Sequence, residues 1–209
     1  MPTPVHCDTM TKELQLHHIS VSDMDNNCYL LSSDGEGLLI DAAADAPALL
    51  QLAKDAGVTI TKVLTTHRHW DHTQALSEVI AATGAKHYAS FLDAPALPAP
   101  VDVELHNGDV IEHAGVKLDI IILRGHTPGG VAVATNIAGH PAIFSGDSLF
   151  PGGVGKTSCE ADFARLFNDV TSRIFDKYPD NTVVYPGHGA KTTLGTERPQ
   201  LPEWEKRRW

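Results

Sequence analysis

Three cysteines in 209 residues, Cys7, Cys28 and Cys159, are too few and too odd in number for a disulfide framework. They suit a reducing compartment, and the chain is expected to be cytoplasmic. Basic residues are also scarce. Sixteen Lys and Arg stand against twenty-six Asp and Glu, a formal net charge of -10. That balance argues against nucleic acid or an anionic membrane as partner, since both need clustered positive charge. No apolar run approaches the ~20 residues that cross a bilayer. The opening "MPTPVHCDTMTKE" has no basic region followed by an apolar one, so no signal peptide is expected.

What the chain does have is 42% hydrophobic residues, enough for one domain over 1–209 with a core of its own. Short apolar runs read as strands: "LQLHHISV", "NCYLLSS", "GLLIDAA" and "ITKVLTT" in the first half. In the second half they are "VDVEL", "DVIE", "VKLDIIIL", "GVAVAT", "PAIFS" and "TVVYPGHG". Three stretches read as helices. "APALLQLAKDAG" puts Leu49, Leu50 and Ala53 on one face and Gly57 at its end. "TQALSEVIAATG" has Thr73 as N-cap and Gly84 as its stop. "EADFARLFNDVTSRIFDKYP" lines up Phe163, Leu166, Phe167, Val170 and Ile174 before Pro179. The Pro/Ala stretch at 94–100 and its surroundings read as loop. The sum is mixed α/β, two sheets with helices outside.

The chemistry concentrates at "THRHWDH", where His67, His69, Asp71 and His72 crowd together after a strand-like run. On a helix, positions two apart point about 200° away from each other, so His67 and His69 cannot share a cation there. A strand-to-helix loop is required, with His67 and His69 at one mouth and Asp71 and His72 at the other. Arg68 and Trp70 lie between them and are expected to pack against neighbouring loops, with lining of the cleft as the alternative. Three more candidates end apolar runs: His126 in "IILRGHTPGG", Asp147 in "AIFSGDSLF" and His188 in "VVYPGHGA". Pro128-Gly129 suits a type II turn just after His126, and Gly146 lets backbone approach Asp147 closely.

Five histidines and two aspartates without a cysteine fit two cations better than one. Structural zinc sites take four ligands and favour Cys, whereas catalytic sites keep a position open for water. Two shells that share one carboxylate use seven side chains. Imidazole and carboxylate suit zinc, iron or manganese. Cations so held lower the pKa of water from ~15.7 to about 7 and stabilise an oxyanion on a carbonyl under attack. The remaining histidines, His6, His17, His18, His87, His106, His113 and His140, read as surface or core residues. Cys159 reads as a free thiol.

The stretches "THRHWDH", "GHTPGG", "FSGDSLFPGGVGK" and "YPGHGAKTTLGTE", in that order, resemble the metallo-β-lactamase-fold hydrolases. Among these the chain is most similar to glyoxalase II (hydroxyacylglutathione hydrolase) and its short bacterial relatives, over roughly residues 14 to 200. The resemblance implies an αββα sandwich, two mixed β-sheets flanked by helices, without the C-terminal helical domain of full-length glyoxalase II. It assigns His67, His69 and His126 to one metal ion, Asp71, His72 and His188 to a second, and Asp147 to both. Two divalent ions are implied, zinc first, with iron or manganese compatible. Asp71 and Asp147 are the implied catalytic carboxylates. Asp41, ending "LLID", matches an acidic position that supports the histidine loop from behind.

The implied activity is hydrolysis of a small-molecule thioester, such as an S-2-hydroxyacyl conjugate of a small thiol. Lys156 matches a basic position that contacts the glutathione part of the substrate. Ser158 and Ala190 stand where tyrosines contact the thiol carrier, which opens the way to a different carrier. Arg207 and Arg208 read as a solvated tail, with replacement of some carrier contacts as the alternative. The resemblance also admits a persulfide dioxygenase with one iron on His67, His126 and Asp147, or a lactonase or other ester hydrolase.

Overall fold

The computed structural model describes residues 13–208, so Cys7 and His6 lie outside it. The first sheet is built from β1 (Gln15–Val21), β2 (Asn26–Ser33), β3 (Glu36–Ile40), β4 (Thr59–Thr65), β5 (Lys86–Ser90) and β6 (Val103–Leu105), in that spatial order. Its first three strands are antiparallel neighbours, and β3 to β6 run parallel. The parallel connections carry helices α1 (Ala46–Asp55) and α2 (Leu76–Thr83).

The second sheet opens as an antiparallel meander of β7 (Val110–His113), β8 (Val116–Leu123), β9 (Gly130–Ile137) and β10 (His140–Gly146). A small hairpin follows, β11 (Leu149–Phe150) with β12 (Gly153–Val154). Helix α3 (Glu160–Val170) continues into a π-turn over Thr171–Phe175 and leads to β13 (Val183–Pro186), which joins the sheet parallel to β10. Strand β14 (Thr192–Thr193) forms the edge, and α4 (Leu194–Glu197) and α5 (Leu201–Arg207) close the chain.

The residue pattern of β8 shows why the layers stack. Successive strand side chains point to opposite faces. Leu118, Ile120 and Ile122 pack with Tyr29, Leu38, Ile40 and Leu64 of the facing sheet. Ile121 and Leu123 pack outward with Phe163, Leu166 and Val170 of α3. A strand covered on both faces must be apolar throughout, hence the unbroken "IIIL". On the other side, Leu39, Cys28 and Leu30 pack outward beneath Leu49 of α1 and Leu76 and Val79 of α2. The architecture is helices, sheet, sheet, helices, as expected from the sequence.

Several local expectations fail for identifiable reasons. Strand β5, "KHYAS", forms where the residue pattern marks no strand. Its helix-facing positions include His87, a polar residue buried because Thr65 Oγ1 and Pro100 O each lie 2.8 Å from its ring nitrogens. Helix α2 starts at Leu76 after Ala75; Thr73 instead closes a 3-10 turn over Trp70–His72. The C-terminal residues form α5 instead of a solvated tail. Trp204 is buried beside Phe175, Arg207 donates to Gly152 O at 2.9 Å, and Arg208 pairs with Glu160 at 3.5 Å. Trp204, with Leu201 packed against the same cluster, anchors a segment of otherwise polar residues and one proline. Among the described residues, no helix is long and apolar enough to cross a membrane.

Candidate metal centre

Strand direction gathers the site. Strands β8, β10 and β13 all run the same way, and so do β3 and β4. Their C-terminal ends deliver Asp41, His67, His126, Asp147 and His188 to one edge of the sandwich, where ligands characteristically meet α/β sheets. The two sheets are stitched together there by backbone bonds: Val131 N–H to Thr66 O at 2.7 Å and Asn27 N–H to Gly187 O at 2.8 Å.

All seven residues singled out by the sequence converge. Three groups have ligand atoms within 4.8 Å of one another: His67, His69 and His126; His67, His72 and Asp147; Asp71, His72 and His188. The 3-10 turn over Trp70–His72 carries Asp71 and His72, and the His72 ring packs back against His67, 4.2 Å between centroids. Asp147 stands between the first and third groups. Its Oδ2 is 3.6 Å from His126 Nε2, 4.0 Å from His67 Nε2 and 3.4 Å from His188 Nε2, and its Oδ1 is 3.4 Å from His72 Nε2.

The ring nitrogens facing away from the centre are anchored. His72 Nδ1–H donates to Asp41 Oδ2 at 2.9 Å, His126 Nδ1–H to Lys156 O at 2.7 Å, His188 Nδ1–H to Met24 O at 2.8 Å and His67 Nδ1–H to Thr66 Oγ1 at 3.0 Å. This assignment leaves each Nε2 as a lone pair aimed inward. Lone pairs then meet: His72 Nε2 lies 3.0 Å from His188 Nε2, and His67 Nε2 lies 3.1 Å from His69 Nδ1. Two nitrogens ~2.0 Å from one tetrahedral cation are roughly 3.3 Å apart, so the spacing fits a shared ion. His126 Nε2 and Asp147 Oδ1 are buried without a well-formed hydrogen bond, His72 Nε2 facing that oxygen from 3.4 Å. Buried polar atoms left unpaired are rare and point to an additional ligand. The donor set and the orphaned atoms both fit divalent cations.

Close packing holds the carboxylates in place. Gly146 takes φ +50°, and a Cβ there would lie 2.8 Å from Thr66 Cβ. At Gly187 a Cβ would collide with Asp147 Oδ1, so the absence of a side chain lets His188 approach from the second sheet. The expected type II turn at Pro128-Gly129 is not formed, because Gly129 does not take the positive φ it requires. Gly129 serves close approach instead: a Cβ would lie 2.5 Å from Ser90 Oγ, and its N–H donates to Asp93 Oδ1 at 3.1 Å.

The electrostatics follow from this crowding. Burial, and then the neighbouring His72, hold His67 well below the ordinary imidazole value. Burial also lowers His69. For His72 burial opposes the charged form, but hydrogen bonds to Asp147 and Asp41 outweigh it and raise the imidazole to about 10. The hydrogen bond to Asp147 likewise raises His188. Burial penalises the Asp147 charge, yet bonds to His188 and His72 prevail and hold its carboxyl far below the usual range.

Two supporting residues escaped the sequence reading. Asp93 is buried and accepts from Arg68 N–H and Gly129 N–H, both at 3.1 Å, tying the His67–His72 loop to the His126 loop. Asn26 Nδ2 donates to Asp71 Oδ2 at 3.0 Å. Neither lies in a motif; each acts through a contact distant in sequence. Other placements differ from expectation. Trp70 is 67% exposed and Arg68 is exposed too, so neither packs beneath loops. The Lys156 side chain is exposed and lines a depression with Thr157, Cys159 and Arg208, not the larger cleft of about 800 Å³ onto which His69 and His126 open.

The metallo-β-lactamase superfamily profile matches residues 21–188. A hydroxyacylglutathione hydrolase of Polaromonas sp. (strain JS666 / ATCC BAA-500) is 39% identical over 155 residues, 74% of this chain and 57% of that protein. The chain spans about 60% of the length of the curated relatives it matches first. Among solved structures, TTHA1623 in a di-iron-bound form is 30% identical with TM-score 0.72, over 87% of this chain and 96% of that one. ETHE1 from Myxococcus xanthus is 25% identical with TM-score 0.79, over 90% and 83%. With its strand-end histidines and aspartates carried on the same αββα frame, the chain belongs to the metallo-β-lactamase superfamily.

Proposed function

We propose that this protein is a metal-dependent hydrolase that cleaves a thioester, such as an S-2-hydroxyacyl conjugate of a small thiol. The observation that carries this reading is the position of Asp147 between two ligand groups, 3.6 Å from His126 on one side and 3.4 Å from His72 and His188 on the other. His67, His69 and His126 would hold one divalent cation, Asp71, His72 and His188 a second, and Asp147 would serve both, with zinc the first choice. Divalent cations so placed acidify water and stabilise charge developing on a carbonyl oxygen.

The chain's own share of the work is positional. Asp41, Met24 O, Lys156 O and Thr66 Oγ1 hold four imidazoles with their acceptor nitrogens inward. Asn26 steadies Asp71, which serves as ligand first, since ligation competes with proton transfer. A thioester suits such a site because a thiolate leaves without a protein acid to protonate it. The names of the curated relatives support this substrate class, and TTHA1623 in its di-iron form supports two cations and makes iron a candidate. A dioxygenase with one iron would use His67, His126 and Asp147 alone and leave Asp71, His72 and His188 without a task. The sparse cysteines support a cytoplasmic setting.

Purified protein, loaded with zinc, is expected to release free thiol from S-lactoyl thioesters, to lose this with chelator and to regain it with added metal. A rate that survives chelation removes the reading. One iron per chain with oxygen uptake replaces it with the dioxygenase.

A further inference from the structure

The cleft beside His69 and His126 is cationic, although the protein as a whole is strongly acidic. Arg68, Arg124, Arg165 and Arg173 all line it. Two are fixed by one carboxylate. Asp169 is fully buried and takes Arg124 Nε and Nη2, both at 2.8 Å, in a two-pronged grip, with Arg173 Nη2 at 3.3 Å. Arg173 spends its other nitrogen on Asn107 Oδ1 and Ile122 O. Arg124 therefore has its plane set and its remaining Nη1 edge uncommitted. Among the described residues Arg165 pairs with Asp162, at 3.6 Å. The Arg68 guanidinium is exposed and has no ion pair among the described residues. Buried Asp93 beneath the loop is spent on two backbone N–H groups.

Four arginines against Asp162 and Asp169 leave a surplus of positive charge in a concave space next to the candidate metals. Asp169 also accepts the backbone N–H of Arg124 at 3.1 Å, so one buried carboxylate fixes both the chain just before His126 and the wall of the cleft. A positive recess on a negative protein focuses anions from solution. The volume, about 800 Å³, falls in the range of small-molecule sites.

We propose that this cleft is an oxyanion-recognition subsite, in which Arg68, Arg124 and Arg165 bind a carboxylate or phosphate carried by the substrate at a distance from its reacting carbonyl. The inference rests on the thioesterase reading for what is bound, and moves recognition of the carrier from Lys156 to the arginines.

The test is direct binding, by titration calorimetry at low salt, so it does not depend on turnover. The probes are S-methylglutathione, its dimethyl ester and S-methyl-coenzyme A. The expected result is at least tenfold tighter binding of S-methylglutathione or S-methyl-coenzyme A than of the ester. The tighter of the two names the anion as carboxylate or phosphate. The double variant Arg68→Gln with Arg165→Gln should bring the ratio to about one, with metal content and circular dichroism unchanged, while Lys156→Gln keeps it. Neither anionic probe binding tenfold tighter than the ester, discrimination that survives the double variant, or its loss in Lys156→Gln overturns the subsite. Should discrimination appear without thiol release from any thioester, the thioesterase reading fails and the subsite stands.

Discussion

Asp41 Oδ2 lies 2.9 Å from His72 Nδ1, and the same carboxylate accepts from both the N–H and the hydroxyl of Thr66, each at 2.7 Å. It does so from a left-handed backbone, φ +61°, that a non-glycine residue adopts only when its surroundings enforce it. One residue at the end of β3 thus sets both the start of the histidine loop and the orientation of an imidazole 3.4 Å from Asp147.

Asp41→Asn tests that role, since asparagine tolerates the left-handed backbone. Loss of the negative acceptor should weaken metal binding about 10–100-fold. A competition assay with a chromogenic chelator reads the change. Affinity equal to that of the unaltered protein would show that Asp41 supports the fold only.

Asp147→Ala removes a carboxylate that stands within 4.0 Å of four imidazoles. Metal content by mass spectrometry should fall by at least one ion per chain while circular dichroism is retained. Thiol release should fall by more than the roughly 10–100-fold expected when a supporting residue is lost. Full metal content in this variant would show that Asp147 is not shared.

Proton uptake and metal uptake should oppose each other. In the metal-free protein the His72 imidazole is raised to about 10 because its bonds to Asp147 and Asp41 outweigh burial. A pKa raised on folding stabilises fully below the unfolded value, about 6.5, and the benefit disappears as pH climbs through about 10. Metal-free protein should therefore lose stability between those limits. A ligating imidazole must shed its proton, so metal affinity should rise over the same window. Calorimetry in buffers of different ionisation enthalpy should detect proton release on zinc binding at pH 8. No released proton at pH 8 would contradict the charged His72.

Trp204→Ala should cost about 3–5 kcal/mol, the range for truncating a buried aromatic residue. Trp204 fills the outer layer of the second sheet beside Phe175, together with Leu194 and Val184. Chemical denaturation measures the cost. A change below about 0.5 kcal/mol, the usual size for surface substitutions, would mean that α5 is peripheral after all.

Much of the fold is legible in the residue pattern because burial on two faces leaves a strong mark. The run "VKLDIIIL" matches β8 end to end. Strand β5 and helix α5 left no such mark. The first buries His87 by hydrogen bonding, and the second relies on one aromatic anchor in a polar stretch.

The sequence by itself determined which side chains could serve as ligands, because imidazoles and carboxylates placed just after apolar runs must emerge at strand ends. It also determined the layering, through runs apolar on both faces. Only the tertiary structure decided how those groups share space: that Asp147 stands among four imidazoles, that Asp93 and Asn26 brace the loops, and that Arg68 and Arg124 meet Arg165 in one recess. These are contacts between residues tens of positions apart. No local periodicity encodes them, since they exist only once two sheets have packed and brought their edges together.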